Sequence, residues 1–148
     1  MTAVTESGVL SNEVSQGEGA NVPEHESPGR IRTYRDLIAW QRGMAIAEQV
    51  YRATSAFPSE EKFGLSSQMR RACVSVPSNI AEGFGRATKA EFRRFLELSR
   101  GSLFELQTQA ELARRLGWLK GQPLDDLRKV TRELDAVLMG LLRSVKAR

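Results

Sequence analysis

Seven basic residues between positions 70 and 100 are the side chains of this sequence best suited to chemistry with an anion. They are Arg70, Arg71, Arg86, Lys89, Arg93, Arg94 and Arg100. Guanidinium and ammonium groups attract phosphate oxygens, and their binding releases the counterions condensed on nucleic acid. Glu97 lies between two of these cations, so we expect part of the cluster to form ordinary solvated salt bridges. The sequence predicts phosphate contacts by the remainder.

Specific reading of bases is not predicted from the sequence. Trp40 and Tyr51 recur at helical spacing with other apolar residues of the same segment, which places them on a core-facing stripe rather than on a stacking surface. An acidic protein surface would attract the same cations, so two hypotheses stay open. One is non-specific binding of RNA, DNA or a ribonucleoprotein, and the other is a protein–protein scaffold that docks an acidic partner without nucleic acid.

Residue types that carry catalysis are scarce. The single histidine, His25, lies in the N-terminal segment, so no Ser/His or Cys/His pair is expected on the folded body. Ser59 and Lys62 match a Ser-x-x-Lys pattern, but Ser59 is better interpreted as a helix cap. Cys73 stands among apolar residues and is expected in the core. We therefore predict no enzyme activity, no catalytic residue, no metal site and no cofactor.

Charge is divided unevenly along the 148 residues, whose net charge is +4. Residues 1–30 contain five glutamates and only Arg30, whereas residues 31–148 contain 21 basic and 13 acidic side chains, a net of +8. The first 30 residues are rich in Ser, Glu, Gly and Asn and poor in apolar side chains, which predicts a disordered acidic tail. No apolar signal or membrane-spanning stretch is recognisable, so we expect a cytoplasmic protein.

Four amphipathic helices are predicted after the tail. The first begins at Thr33, where Thr33 and Asp36 form a capping box, and its stripe includes Met44 and Ala47 besides the two aromatic residues named above. The second begins at Ser59 or Leu65 and reaches Phe84. Its apolar stripe consists of Leu65, Met69, Ala72, Cys73, Val76 and Ile80. Gly83 and Gly85 are expected to end it.

The third predicted helix opens with a capping box of Thr88 and Glu91 and ends before Gly117. The fourth starts near Pro123. Its apolar face consists of Leu127, Val130, Leu134, Val137, Leu138, Leu141 and Val145. Four helices with short connections predict an all-α, antiparallel up-down-up-down four-helix bundle over residues 31–148.

A second row of residues on the third helix lies away from its core stripe. Leu98, Gly101, Glu105 and Leu112 recur at spacings of three and four. A glycine inside a helix is less favourable than alanine by about 1 kcal/mol, and its place between two leucines indicates close approach of another backbone. We predict that this row is a face for homo-oligomer formation. An incidental glycine on an exposed side is the alternative.

A set of motifs between Thr33 and Leu142 resembles a known family. They are Tyr34-Arg35-Asp36-Leu37 with Trp40-Gln41, Phe57-Pro58, Gly64-Leu65 with Gln68, the run from Arg70 to Gly83, Gly101-Ser102 with Glu105, and Leu116-Gly117. Together they are similar to the bacterial four-helix bundle family also called the 23S ribosomal RNA intervening-sequence proteins.

The resemblance implies a cytoplasmic bacterial protein similar in fold to the accessory variability protein of diversity-generating retroelements. That relative forms a ring-like pentamer and binds nucleic acid and a reverse transcriptase through a basic surface. By this resemblance, a pentamer and a reverse transcriptase or another protein partner are expected here. Asn79, Glu82, Gly83, Gly101 and Ser102 match motif positions of the family, and we expect them to shape helix packing or subunit contact.

Overall fold

The computed structural model describes residues 29–145, and within that range the regular structure is entirely helical. It contains α1 (Ile38–Thr54), α2 (Leu65–Phe84), α3 (Lys89–Arg115) and α4 (Gly121–Ser144). Short 3-10 turns at Tyr34–Asp36 and Ser59–Phe63 precede α1 and α2. The predicted all-α four-helix bundle is confirmed. The predicted acidic tail lies outside the described residues, apart from its last two positions.

Residues late in each helix contact residues early in the next one along the chain. The contacting pairs are Thr54 with Arg70 and Gly43 with Pro77 between α1 and α2, Ser75 with Ser102 and Gly83 with Phe95 between α2 and α3, Arg93 with Leu142 and Glu111 with Arg128 between α3 and α4, and Arg42 with Glu133 between α1 and α4. Neighbouring helices therefore run in opposite directions and enclose one core.

The predicted stripe of α2 forms the centre of that core, because all six of its residues are buried. Cys73 is among them and is a free thiol, as predicted. Burial raises the pKa of the Cys73 thiol to about 11, because desolvation disfavours the thiolate. The predicted apolar face of α4, from Leu127 to Val145, lines the core. Leu124, Thr131 and Leu142 complete the buried face of this helix.

The predicted stripe of α1 is wrong at two positions. Met44 and Tyr51 retain 40% and 43% of their accessible surface, while Gly43 and Ile46 are buried instead. The cause is close packing of α1 on α2, because a Cβ added at Gly43 would lie 3.3 Å from the Cβ of Pro77. This approach turns the small residues of α1 inward and leaves Tyr51 at the surface.

The capping box at Thr33 forms as predicted, but it caps the first 3-10 turn rather than α1. Asp36 accepts backbone hydrogen bonds from Thr33 and Arg32, which lowers the pKa of the Asp36 carboxyl. Leu37 is extended, with ψ of 124°, so α1 begins only at Ile38. The boundary differs because the turn and the helix are two elements joined by one non-helical residue.

Two further local predictions are wrong. Ser59 makes no capping hydrogen bond, since the second 3-10 turn follows Pro58 directly. Gly83 lies inside α2 instead of ending it, and a Cβ there would come within 2.5 Å of the Cβ of Phe95. Gly83 is therefore needed for close packing of α2 on α3, and Gly85 takes the position after the last helical residue.

Candidate nucleic-acid interface

Three of the seven predicted phosphate-binding residues are exposed cations without a partner. The side chains of Arg71, Lys89 and Arg94 make no hydrogen bond or ion pair with any residue between 29 and 145. An exposed cation that is not neutralised by a neighbouring carboxylate keeps its full attraction for an external anion. These three side chains are the strongest candidates for phosphate contact.

Arg86 and Arg100 are each engaged twice within the bundle. Arg86 pairs with Glu82 at 3.0 Å, and its guanidinium lies 4.7 Å from the ring centroid of Phe95. Arg100 pairs with Asp135 at 2.6 Å, and its guanidinium lies 4.7 Å from the ring centroid of Phe104. Their charge is compensated locally, so they are weaker candidates than the free cations.

Arg93 has a structural role at the end of α4. Its Nη1 donates to the backbone carbonyls of Leu142 and Val145, and its Nε lies 3.5 Å from the carboxylate of Glu97. The last carbonyls of a helix lack partners within the helix, and a cation there also favours the negative end of the helix dipole. Arg93 therefore stabilises the contact between α3 and α4.

The seven predicted residues do not form one patch. Arg71 lies thirteen residues before Phe84, the last residue of α2, which corresponds to about 20 Å at the helical rise, and Arg86 follows the end of that helix. Arg70 and Arg71 lie near the start of α2, whereas Arg86 and Lys89 lie where α2 connects to α3. The structure thus separates the predicted cluster into two basic regions.

A surface depression of about 750 Å³ lies beside the first of these regions. We call the residues that line it the Phe63 surface, and they are Tyr51, Lys62, Phe63, Ser67, Arg70, Arg71, Val74 and Ser75. Phe63 is 89% exposed, the highest value among the large exposed hydrophobic residues of the described chain. Sequence reasoning missed it, because it stands in a 3-10 turn outside every apolar stripe.

The predicted self-association residues all lie on one outward face of α3. Leu98 and Leu112 are 45% and 47% exposed, and a Cβ at Gly101 would meet no atom within 4 Å. Glu105 is exposed on the same face and accepts a hydrogen bond from Gln109 at 3.2 Å. No contact among residues 29–145 therefore accounts for a glycine at position 101, and the self-association face stays a prediction.

Residues of the motif run from Arg70 to Gly83 take part in a polar contact between α2 and α3. The Asn79 side chain donates to the carbonyl and the hydroxyl of Ser75, at 2.8 and 2.9 Å. The Ser75 hydroxyl in turn lies 2.8 Å from that of Ser102. Ser75 and Ser102 thus join the two helices while Asn79 holds the Ser75 hydroxyl, which is a packing role.

No helix within residues 29–145 is long and apolar enough to cross a membrane. In the same part of the chain, no group of three or more His, Cys, Asp or Glu side chains is placed to hold a metal ion. His25, the single histidine of the sequence, lies outside the described residues.

Comparison with known proteins gives one family and a structural neighbour. None of the curated proteins matches the chain. A protein with unknown function from the S23 ribosomal protein family of Bacteroides thetaiotaomicron VPI-5482 shares the fold, with a TM-score of 0.66 and 17% sequence identity. The match covers 72% of this chain and 96% of that one. Residues 35–140 match the 23S rRNA-intervening sequence proteins. On that match, which spans most of the bundle, the chain belongs to the 23S rRNA-intervening sequence protein family.

Proposed function

We propose that this protein is a non-catalytic, cytoplasmic, homo-oligomeric module that binds nucleic acid without base specificity through its basic surfaces. The observation that carries the proposal is that three of the seven predicted cations, Arg71, Lys89 and Arg94, are exposed and have no carboxylate partner in the described chain. They project from a body whose sequence carries a net charge of +8 over residues 31–148.

The free cations support binding to a polyanion more strongly than the paired ones do. A paired arginine such as Arg86 must give up Glu82 before it can bind a phosphate, which reduces the net gain. A free cation releases a counterion from the nucleic acid for each phosphate that it contacts. Such contacts are independent of sequence, because phosphates carry no base information.

The outward face of α3 supports self-association. Leu98 and Leu112 leave apolar surface in water, and Gly101 between them would let a second helix approach closely. Assembly would repeat the free cations around the oligomer and multiply weak phosphate contacts. The family resemblance suggests a ring of five copies as the first stoichiometry to test.

The test is fluorescence anisotropy of a labelled single-stranded RNA and a labelled DNA duplex at about 50 mM and about 200 mM salt, a range over which several phosphate contacts change affinity strongly. The test variant replaces Arg71 and Arg94 by Gln. We expect binding to weaken at both salt concentrations and the slope of log affinity against log salt to fall by about one unit per lost contact.

The matched control replaces Arg52 and Arg115 by Gln. Both arginines are exposed, and replacing them removes the same total charge as the test variant does. Each of them is already paired, however, Arg52 with Glu48 and Arg115 with Glu111. We expect this control to change the salt slope less than the test variant does. If the native protein binds neither nucleic acid at the lower salt concentration, the proposal is wrong and a scaffold for an acidic protein partner becomes the better hypothesis.

A further inference from the structure

We propose that the Phe63 surface is a stacking platform for unpaired bases, so that the protein prefers single-stranded nucleic acid to a perfect duplex. This inference rests on the proposed function and adds to it the strand form that is bound and the place where it binds. The observation that carries it is the juxtaposition of exposed Phe63, Tyr51 and Val74 with the cations Lys62, Arg70 and Arg71 around one depression.

The aromatic groups of this surface are open to an incoming base. Phe63 is 89% exposed and Tyr51 is 43% exposed, while Val74 on α2 is 44% exposed. Exposed apolar groups gathered around one depression offer a contact surface for an apolar part of a ligand. Bases stack on aromatic rings with little preference for sequence, because every base has a π face.

The cations of the surface are placed beside the rings. The Lys62 ammonium lies 5.6 Å from the ring centroid of Phe63, and the Arg70 guanidinium lies 4.7 Å from that of Tyr51. Arg71 has no partner in residues 29–145. None of the described residues that line the depression is a carboxylate. Three cations without an acid favour a polyanionic occupant, whose phosphates they would contact while its bases cover the rings.

Local geometry holds the backbone at Phe63 in place before any ligand binds. The carboxylate of Glu61 accepts a hydrogen bond from the backbone N–H of Leu65 at 2.9 Å, which fixes the second 3-10 turn against the start of α2. A Cβ at Gly64 would meet the carboxylate of Glu61 and displace it from its hydrogen bond to Leu65. A platform on a fixed turn loses little conformational entropy when it binds.

A single strand fits this surface better than a duplex or an acidic protein does. The bases of a duplex are already stacked and paired, so their faces cannot reach Phe63 without unstacking. An acidic protein surface would satisfy the cations but would not need an almost fully exposed aromatic ring among them. The combination of flat apolar groups and cations is the pattern of single-strand binding grooves.

The test uses the full-length protein and three labelled probes of equal length, namely a single-stranded oligonucleotide, the same backbone without bases, and a perfect duplex. Phe63→Ala removes the ring, and because this ring is almost fully exposed the fold should be unaffected. We expect Phe63→Ala to lower affinity for the base-bearing strand by roughly ten- to a hundredfold, the effect of one base–aromatic stack, and to leave affinity for the abasic strand unchanged. Phe63→Trp should restore binding.

The matched control is Phe104→Ala on α3. Phe104 is also an exposed phenylalanine beside an arginine, but its Arg100 is neutralised by Asp135. We expect this control to bind the base-bearing strand as the native protein does. Equal affinity of the native protein for the abasic and base-bearing strands would overturn the stacking platform while leaving the proposed function intact.

Two other outcomes would also overturn the platform, and they are distinguishable from each other. Absence of salt-dependent binding to all three probes would mean that the proposed function itself is wrong. A lower molar mass of Phe63→Ala than of the native protein and Phe104→Ala in light scattering would show that the Phe63 surface is a contact between copies of this chain.

Discussion

The guanidinium of Arg70 lies 4.7 Å from the ring centroid of Tyr51, and its Nε donates to the hydroxyl of Thr54 at 2.9 Å. These contacts attach the start of α2 to the last turn of α1. They also place a positive charge at the negative end of the α1 dipole. One arginine therefore joins two helices and orients a surface aromatic ring.

We expect Arg70→Met to lower the free energy of unfolding by about 1–2 kcal/mol, because it removes charged hydrogen bonds to α1 while keeping the length of the side chain. Urea denaturation followed by circular dichroism measures this change. The adjacent Arg71→Met is the control, since Arg71 is exposed without a partner and its replacement should stay within about 0.5 kcal/mol. Equal effects of the two substitutions would contradict a structural role for Arg70.

A second prediction concerns the close approach of α2 and α3 at Gly83. We expect Gly83→Ala to destabilise the protein by about 1–3 kcal/mol, because its Cβ would press on the Cβ of Phe95. Gly140→Ala in α4 is the control, since its Cβ would enter open space and should stabilise the helix by up to about 1 kcal/mol. Thermal melting of both variants distinguishes packing from helix propensity, and a stabilised Gly83→Ala would mean that the two helices are not in contact there.

A third prediction concerns the outward face of α3. Because a Cβ at Gly101 meets no atom of the described residues within 4 Å, Gly101→Leu should leave the helical content unchanged. If a second copy packs there, however, the added side chain should weaken assembly by at least tenfold in the dissociation constant. Light scattering over a range of protein concentrations measures this, with Gly140→Leu as the control. If the molar mass of the two variants depends on protein concentration in the same way, the proposed interface is wrong.

A fourth prediction concerns the pH dependence of the ion pairs at Glu111. Hydrogen bonding and charge from Arg114, with further bonds from Arg115 and Arg128, lower the pKa of the Glu111 carboxyl from 4.5 to about 2. The folded state thus favours the ionised form of Glu111. The stabilisation of the fold by this carboxylate is present above about pH 4.5 and is lost as the pH falls through about 2.

Carboxyl titration by NMR should therefore give an inflection well below that of an ordinary glutamate. Glu111→Gln should reduce the melting temperature near neutral pH, and the difference from the native protein should shrink between pH 4.5 and 2. The difference at neutral pH will be small, because the group is solvent-exposed. A difference that grows on acidification would contradict the direction of the shift.

Particular residues show where sequence reasoning succeeded and where it did not. The stripe from Leu65 to Ile80 was predictable because α2 is a long helix with one apolar face at regular spacing. The stripe of α1 was not, because two apolar rows overlap and only the contact of Gly43 with Pro77 selects between them. That contact reverses the interpretation of Tyr51 from a core residue to a surface residue.

The candidate site was likewise predictable in part from residue type and helical spacing, and in part only from packing. Composition and residue type predicted the cations, and helical spacing predicted the outward face of Leu98 and Leu112. Which cations are free depends on carboxylates far away in the chain, such as Asp135 beside Arg100. Phe63 carried no periodic signal, since a residue in a short turn belongs to no stripe.

The sequence by itself determined the four helices, the buried stripe of α2 and the excess of positive charge, because these depend on local spacing and on composition. Only the tertiary structure decided which face of α1 is buried, which arginines are neutralised, and that Tyr51 and Phe63 meet Arg70 and Arg71 around one depression. The physical reason is that side-chain exposure and charge pairing are set by packing between helices, and the distances that control packing join residues far apart in the chain.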